Sequence, residues 1–204
     1  MATTTTDTDT ELSAVNAILG AIGQSPITSL VFDNPEVSFI YNLLRDSNVD
    51  VQAEGWHFNT EKHVAYSPDA VTKKIAIGND ILKMDMHDNW SERNFDVVKR
   101  NGYLYDKHDH TDEWDSAVDL DVVRLFSFED LPTVFKRYII YRSSRLAATQ
   151  LVANPQLAQL LGAQEQQARA ACMEYECNQG NHSMFGFPED STFHTYQPFR
   201  AIAR

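Results

Sequence analysis

Apolar residues recur at helical spacing in four stretches of the chain, and at alternating spacing in the region between the second and third. The first stretch places Leu12, Val15, Ile18, Leu19 and Ile22 on one face. Thr10 is suited to cap that helix, with Glu11 in its positive first turn; Gly23 supplies a left-handed stop and Pro26 prevents resumption. Asn34-Pro35 then reads as N-cap and first helical position of a second helix. Val37, Ile40, Tyr41, Leu44 and Val51 form its apolar side, and Gly55 ends it.

From Trp56-His57-Phe58-Asn59 onward the period shifts towards two. Ile75-Ala76-Ile77 and Ile81-Leu82-Lys83-Met84 have the composition of short strands. Residues 97–105 carry Asn101-Gly102 between two strand-like runs, and a two-residue type I′ hairpin needs positive φ at both central positions. Val118, Leu120 and Val122 alternate with Asp119, Asp121 and Val123, which predicts one more half-buried strand. This is an antiparallel insertion between helices and not a βαβ series.

Leu131-Pro132 opens a third helix, with Val134, Phe135, Tyr138, Ile139, Tyr141 and Leu146 spread over more than one face. A helix apolar over so wide an arc packs on several sides, in a bundle or against a neighbouring subunit. Asn154-Pro155 repeats the cap signature for a fourth helix of about 23 residues, roughly 35 Å long at 1.5 Å per residue. Its narrower stripe runs through Leu157, Leu161, Ala168, Ala171, Cys172 and Tyr175. The Thr-rich residues 1–9 predict a disordered start. The predicted fold is therefore α+β: a bundle of about four helices from residues 10–55 and 128–180, a β-rich insertion over 56–127, and an extended C-terminal arm over 181–204. That arm mixes Phe185, Phe187, Phe193, Tyr196 and Phe199 with Gly and Pro at no clear period. It either docks on a partner or lies back on its own domain.

Composition narrows the classes. At 204 residues, 43% hydrophobic and 23% charged, the chain suits one domain or two small ones sharing a core. A net charge of −12 argues against a protein that grips nucleic acid by its phosphates. It is compatible with a wall past which DNA slides without sticking, or simply with solubility. Cys172 and Cys177 are too few for a disulfide scaffold and face apart on a helix by roughly 140°. No apolar run predicts secretion or a membrane span, so the expected place of synthesis is a cytoplasm.

In residues 11–19, Glu-Leu-Ser-Ala-Val-Asn-Ala-Ile-Leu, followed by Ile22-Gly23 and Pro26, the sequence resembles the N-terminal helix of the tail tubular protein A family of short-tailed phages. Gly55-Trp56-His57-Phe58-Asn59 is similar to that family's passage from second helix to sheet. Residues 102–106, Gly-Tyr-Leu-Tyr-Asp, resemble its central hairpin, and residues 170–176, Ala-Ala-Cys-Met-Glu-Tyr-Glu, its last helix. The matches fall in order across roughly residues 10–178, and the last 24 residues of the sequence do not align. The resemblance implies a structural virion protein with no catalytic set and no cofactor. It implies a ring of copies of this chain, usually a dodecamer, clamped beneath the portal protein. The nozzle protein (tail tubular protein B) would sit below, the tail fibre near their junction, and double-stranded DNA would pass through without specific binding.

Three groups of residues are candidates for contacts in such an assembly. Tyr141, Arg142 and Arg145 on the third helix are a candidate subunit interface, aromatics and Arg being favoured at interface centres; Phe135 and Tyr138 belong either to that contact or to the core. Phe185, Phe187, Phe193, Tyr196 and Phe199 make the arm a candidate for binding the portal. Asp106, Asp109, Asp112, Glu113 and Asp115 define an acidic loop that faces the channel or the nozzle.

Candidate chemistry is sparse. His108-Asp109-His110 within that acidic stretch is a solvated loop or, on ligand type alone, a transition-metal site. A polysaccharide hydrolase, the rival reading, needs two carboxylates at a set separation, and Trp90, Trp114, Tyr103 and Tyr105 could stack on sugars. No nucleophile elbow, phosphate-binding loop or His-Glu-x-x-His is present. Lys73-Lys74 and Lys99-Arg100 are isolated basic pairs, read as solvated strand ends, and give little support to a DNA-binding regulator.

Overall fold

A computed structural model of the chain describes residues 10–31, 34–87 and 95–179. It divides into two compact units, one from residues up to Gly55 together with Leu125–Glu176, the other from Trp56–Arg124 with the described residues that follow Glu176.

The helical unit is built from α1 (Glu11–Ala21), α2 (Pro35–Gln52), α3 (Thr133–Ala147) and α4 (Pro155–Gln179). The caps are those the sequence marks. Thr10 Oγ1 accepts from the Ser13 N–H at 3.3 Å, and Asn34 Oδ1 accepts from Glu36 at 2.9 Å. Asn154 Oδ1 accepts from both Gln156 and Leu157, at 3.1 and 3.2 Å. Gly23 and Gly55 take φ of 79° and 83° after their helices, the left-handed conformation in which a missing Cβ removes strain. Pro132 stands one position earlier than expected, as the N-cap of α3, where its carbonyl accepts from Phe135 and Lys136.

α3 packs against both α1 and α2. Its Phe135, Tyr138 and Ile139 are buried with Val15, Ile18, Ile40 and Leu44 of the other two helices. A π-helical turn, Ala148–Val152, continues α3, and Ala153 then adopts a left-handed φ of 51° before Asn154 starts α4. Neither feature has a glycine or proline signal at the π turn, so sequence pattern runs past it. α4 presents only Leu161 and Cys172 as buried residues over its 25 positions.

Within this unit Gln52 is fully buried and behaves as a piece of extended backbone. Its Nε2 donates to the Phe126 carbonyl at 2.9 Å, and its Oε1 accepts from the Phe126 N–H at 2.8 Å. Both orphan groups of Phe126 are thereby satisfied.

The β unit has a three-stranded antiparallel sheet, ordered β1 (Thr60–Tyr66), β5 (Val118–Arg124), β2 (Ile81–Met86), and a hairpin of β3 (Val97–Arg100) and β4 (Tyr103–Asp106). β5 is central, with Tyr66 opposite Val118 on one side and Met86 opposite Leu120 on the other. Asn101 and Gly102 take φ of 53° and 81°, the type I′ geometry expected of that dipeptide. The 75–77 segment adds to β4 through Leu104 N–H to Ile75 O at 2.9 Å and Ile77 N–H to Gly102 O at 2.8 Å. One core joins both sheets, with Leu104, Leu120 and Val122 fully buried beside Ile75 and Trp114.

β1 lies at the sheet edge and has no strong sequence signal, because Glu61, Lys62, His63 and Ala65 are exposed. Its register with β5 shifts between Glu61 and Val64, and His63 within the shift has a φ of 57°. The His63 N–H and the ring Nδ1 of buried His87 both reach Asp121 Oδ1, at 3.1 and 3.0 Å. Asn59 closes the strand's approach, accepting from the Trp56 N–H at 2.8 Å and donating to the Arg124 carbonyl at 2.9 Å.

Replacing Gln52 by Ala removes both hydrogen bonds to the part-buried Phe126 backbone. A loss of about 1–3 kcal/mol follows from the desolvation of an unpaired group, and urea unfolding monitored in the helical unit should show it. Gln52→Glu keeps the acceptor for the Phe126 N–H but loses the donors to Phe126 O and Asn48 Oδ1 and sets a buried carboxylate oxygen against a carbonyl, so it should cost at least as much as Ala.

Candidate functional site

The acidic segment expected to be a loop is held in place by its own chain. Asp106 is buried, with 1% exposure, and accepts from the His108 N–H at 2.8 Å while its own N–H donates to Thr111 O. It is a turn-forming group and not a surface charge. Asp112 pairs with Lys74 at 2.5 Å and Asp115 with Lys73 at 2.7 Å, so two of the expected free carboxylates are neutralised locally. Lys73 and Lys74 stay solvated, with side chains 56% and 35% exposed, while making these ion pairs. Lys99 Nζ is also engaged, donating to Gly78 O at 2.7 Å, and the Arg100 guanidinium lies 3.9 Å from the centre of the Tyr105 ring. Glu113 and Asp109 remain exposed, Asp109 Oδ1 accepting from His108 Nδ1 at 2.8 Å.

These pairs set protonation. The Asp115 carboxyl is held below its usual range by its hydrogen bond from Lys73 and that ammonium's charge. The His108 imidazole is pushed above its ordinary 6.5 by its hydrogen bond to Asp109 and by that carboxylate's charge. Among the described residues, no group of three His, Cys, Asp or Glu side chains is placed to hold a metal ion. Trp114 sits in the core with its Nε1 donating to Leu104 O at 3.2 Å, so it is not available to stack on a sugar. Trp90 and the arm residues Phe185, Phe187, Phe193, Tyr196 and Phe199 lie outside the described residues.

On α3 the alternatives separate. Phe135 and Tyr138 belong to the core, at 0% and 1% exposure. Arg142 is spent inside the subunit, on Asp50 of α2 at 2.9 Å, and Arg145 on Glu165 of α4. Tyr141 is different: it lines two adjoining grooves. One, of 290 Å³, runs between α3 and α4 past Val134, Arg137, Gln164, Gln167, Ala168 and Ala171. The other, of 260 Å³, is bounded by Ala17 and Ala21 of α1, Ile140 and Ser144 of α3, and Leu161 of α4. Arg137, Tyr141 and Gln164 border both. Arg137 is exposed and, among the described residues, has no ion-pair partner. Sequence reasoning passed over it, although its spacing of four from Tyr141 puts the two on one helix face.

Cys172 and Cys177 are free thiols, the first buried and the second exposed. Burial pushes the Cys172 thiol up to about 12, and it donates to the Val134 carbonyl at 3.4 Å. No helix among the described residues is long and apolar enough to cross a membrane.

An open groove on the helical unit, and charges in the β unit that are tied to its own turns, are features of a structural protein that works through its surfaces. A family model described as tail tubular protein matches residues 12–182, and the chain belongs to this tail tubular protein A family of phages. It is similar to Tail tubular protein A of Klebsiella phage KP34, at 29% identity over 123 residues. The alignment takes in 60% of this chain and 62% of that relative, a little under two thirds of its length. The protein is accordingly a structural component of a phage tail.

Two measurements check the electrostatics. Iodoacetamide at neutral pH should modify Cys177 and leave Cys172 intact until the chain unfolds, as read by peptide mass mapping. In an NMR titration the His108 ring should titrate above 6.5, and Asp109→Asn should bring it back down. The stability lent by that pair is fully present below the unfolded-state value and is lost as pH rises through the raised one.

Proposed function

We propose that this tail component is the adaptor between head and tail. Copies of the chain form a ring, twelve-fold in the pattern of the family, clamped under the portal protein and above the nozzle protein, tail tubular protein B. The N-terminal region of the tail fibre attaches near that junction. The ring is made in the host cytoplasm and resides in the virion.

The observation that supports this reading is the groove around Tyr141 and Arg137, a half-open surface of aromatic, Arg and small residues on an otherwise acidic protein. Tyr141 is the centre of the proposed subunit contact, with Arg142 and Arg145 anchoring α3 to α2 and α4 from within. Asp109 and Glu113, left exposed, give the 106–115 segment the negative rim that would face the channel or the nozzle. Like charge keeps passing DNA from adhering. The aromatic segment from Phe185 to Phe199 is proposed as the portal-binding arm, on its composition alone.

The protein acts without catalysis in this reading. A polysaccharide hydrolase draws no support from the structure, since Trp114 is internal and the acidic segment is occupied by Lys73 and Lys74.

Purified chain mixed with portal rings of the same virion should add an annular layer to one face of the portal, seen by size exclusion and negative-stain imaging. Deleting residues 181–204 should abolish that attachment. A chain that stays monomeric beside intact portal rings would overturn the adaptor reading, and attachment unchanged by the deletion would overturn the role given to the arm.

A further inference from the structure

α2 carries a second, unused helical seam. Phe39, Asn42, Asp46, Val49 and Ala53 follow one another at spacings of three, four, three and four, the interval of the a and d positions of a coiled coil. Such a row ordinarily meets a partner helix. In the subunit it faces outward: Phe39 is 36% and Val49 38% exposed, and Asn42 and Asp46 are exposed too. The buried row of α2, through Val37, Ile40, Leu44 and Val51, is the one that serves the core.

The groove on the other helices has the matching form. Along α3, Val134, Arg137 and Tyr141 stand at spacings of three and four, and Gln164, Gln167 and Ala171 do the same along α4. Two such rows side by side leave a trough into which the knobs of a third helix fit. Charge agrees with shape. Arg137 in the trough and Asp46 on the seam each lack an ion-pair partner among the described residues. Their neighbours Arg142, Arg145 and Asp50 are all paired inside the subunit.

We infer that the α2 seam of one subunit docks in the α3–α4 groove of the next copy, with Asp46 meeting Arg137 and Phe39 or Val49 packing beside Tyr141. The inference rests on the ring reading above and supplies its contact. Seam and groove are different patches on the same helical unit, so the contact is heterologous and repeats from copy to copy, as a ring requires. The seam from Phe39 to Ala53 is only about 21 Å long at 1.5 Å per residue. A strip of that length and roughly 10 Å wide, one helix diameter, covers only about 200 Å², small against the roughly 800 Å² per partner of a stable pair. Rings should therefore gain stability on closure, and isolated dimers should be scarce.

The test uses full-length chain carrying Cys177→Ser, with and without portal rings of the same virion. One population carries Asn42→Cys and the other Gln167→Cys; both positions are exposed, so folding is undisturbed. A short bismaleimide should join the two populations into a covalent pair, and should fail to join Gln167→Cys to Val71→Cys, an 89% exposed site in the β unit. Arg137→Glu or Asp46→Arg alone should cut the yield of rings at least tenfold, and the double variant should regain most of it. Wild-type rings that form without the Asn42–Gln167 link and without charge-swap rescue would overturn this docking while leaving the ring reading in place. Equal linking to Val71→Cys would overturn it as non-specific. A chain monomeric with and without portal rings would overturn the ring reading, and this contact with it.

Discussion

The helical unit depends on burying α3 from more than one side. Phe135, Tyr138 and Ile139 are removed from water where α3 meets α1 and α2, with Tyr175 of α4 edge-on to Phe135, each contributing on the order of 1.5–3 kcal/mol. A helix packed so closely has little room for large residues along its remaining faces. Ser143 and Ser144 meet that constraint: both are buried, and their hydroxyls donate to the carbonyls of Ile139 and Ile140 at 2.8 Å, so no polar atom of theirs is left unsatisfied. Lys136 obeys the same rule by donating its ammonium to the Glu129 carbonyl at 2.8 Å. Arg137, exposed, and Tyr141, half-exposed, lie on a side of α3 that its own core leaves open.

The β unit solves a different problem. Its core is small, and its long connections carry many charges. Stability comes from tying those connections down: Asp69 accepts from Val71, Thr72 and the Thr72 hydroxyl, Lys73 and Lys74 clamp Asp115 and Asp112, and Arg124 bridges Glu61 and Asp80. Each exposed pair is worth little in water. Their joint effect is conformational, since they fix where turns fall around Leu104 and Leu120.

Much of this was legible in the sequence because it rests on local chemistry. Thr10, Asn34 and Asn154 act as caps wherever the next residues can turn, and Asn101-Gly102 has one favoured turn. Strand β5 announced itself through Val118, Leu120 and Val122. Strand β1 does not, because only Val64 and Tyr66 of its seven residues turn a large apolar side chain to the core, and Glu61, Lys62 and His63 break the alternation. Asp106 was misplaced for a similar reason: a carboxylate looks the same in sequence whether it faces water or closes a turn. The π turn at Ala148–Val152 is set by how α3 meets its neighbours and by no residue type. Tyr141 stands out in sequence as an aromatic beside arginines, whereas Arg137 is set apart from Arg142 and Arg145 only by their ion pairs with Asp50 and Glu165.

The displaced register of β1 has a consequence for how copies can meet. A straight edge strand offers its free N–H and C=O groups to any neighbouring strand, and growth in that direction has no natural end. Here the shift between Glu61 and Val64, with the His63 backbone turned to positive φ and Lys62 exposed, interrupts the row of donors and acceptors. Along this edge, sheet-to-sheet pairing is thereby discouraged at high protein concentration, and the strand keeps its place beside β5 without becoming a template for further strands.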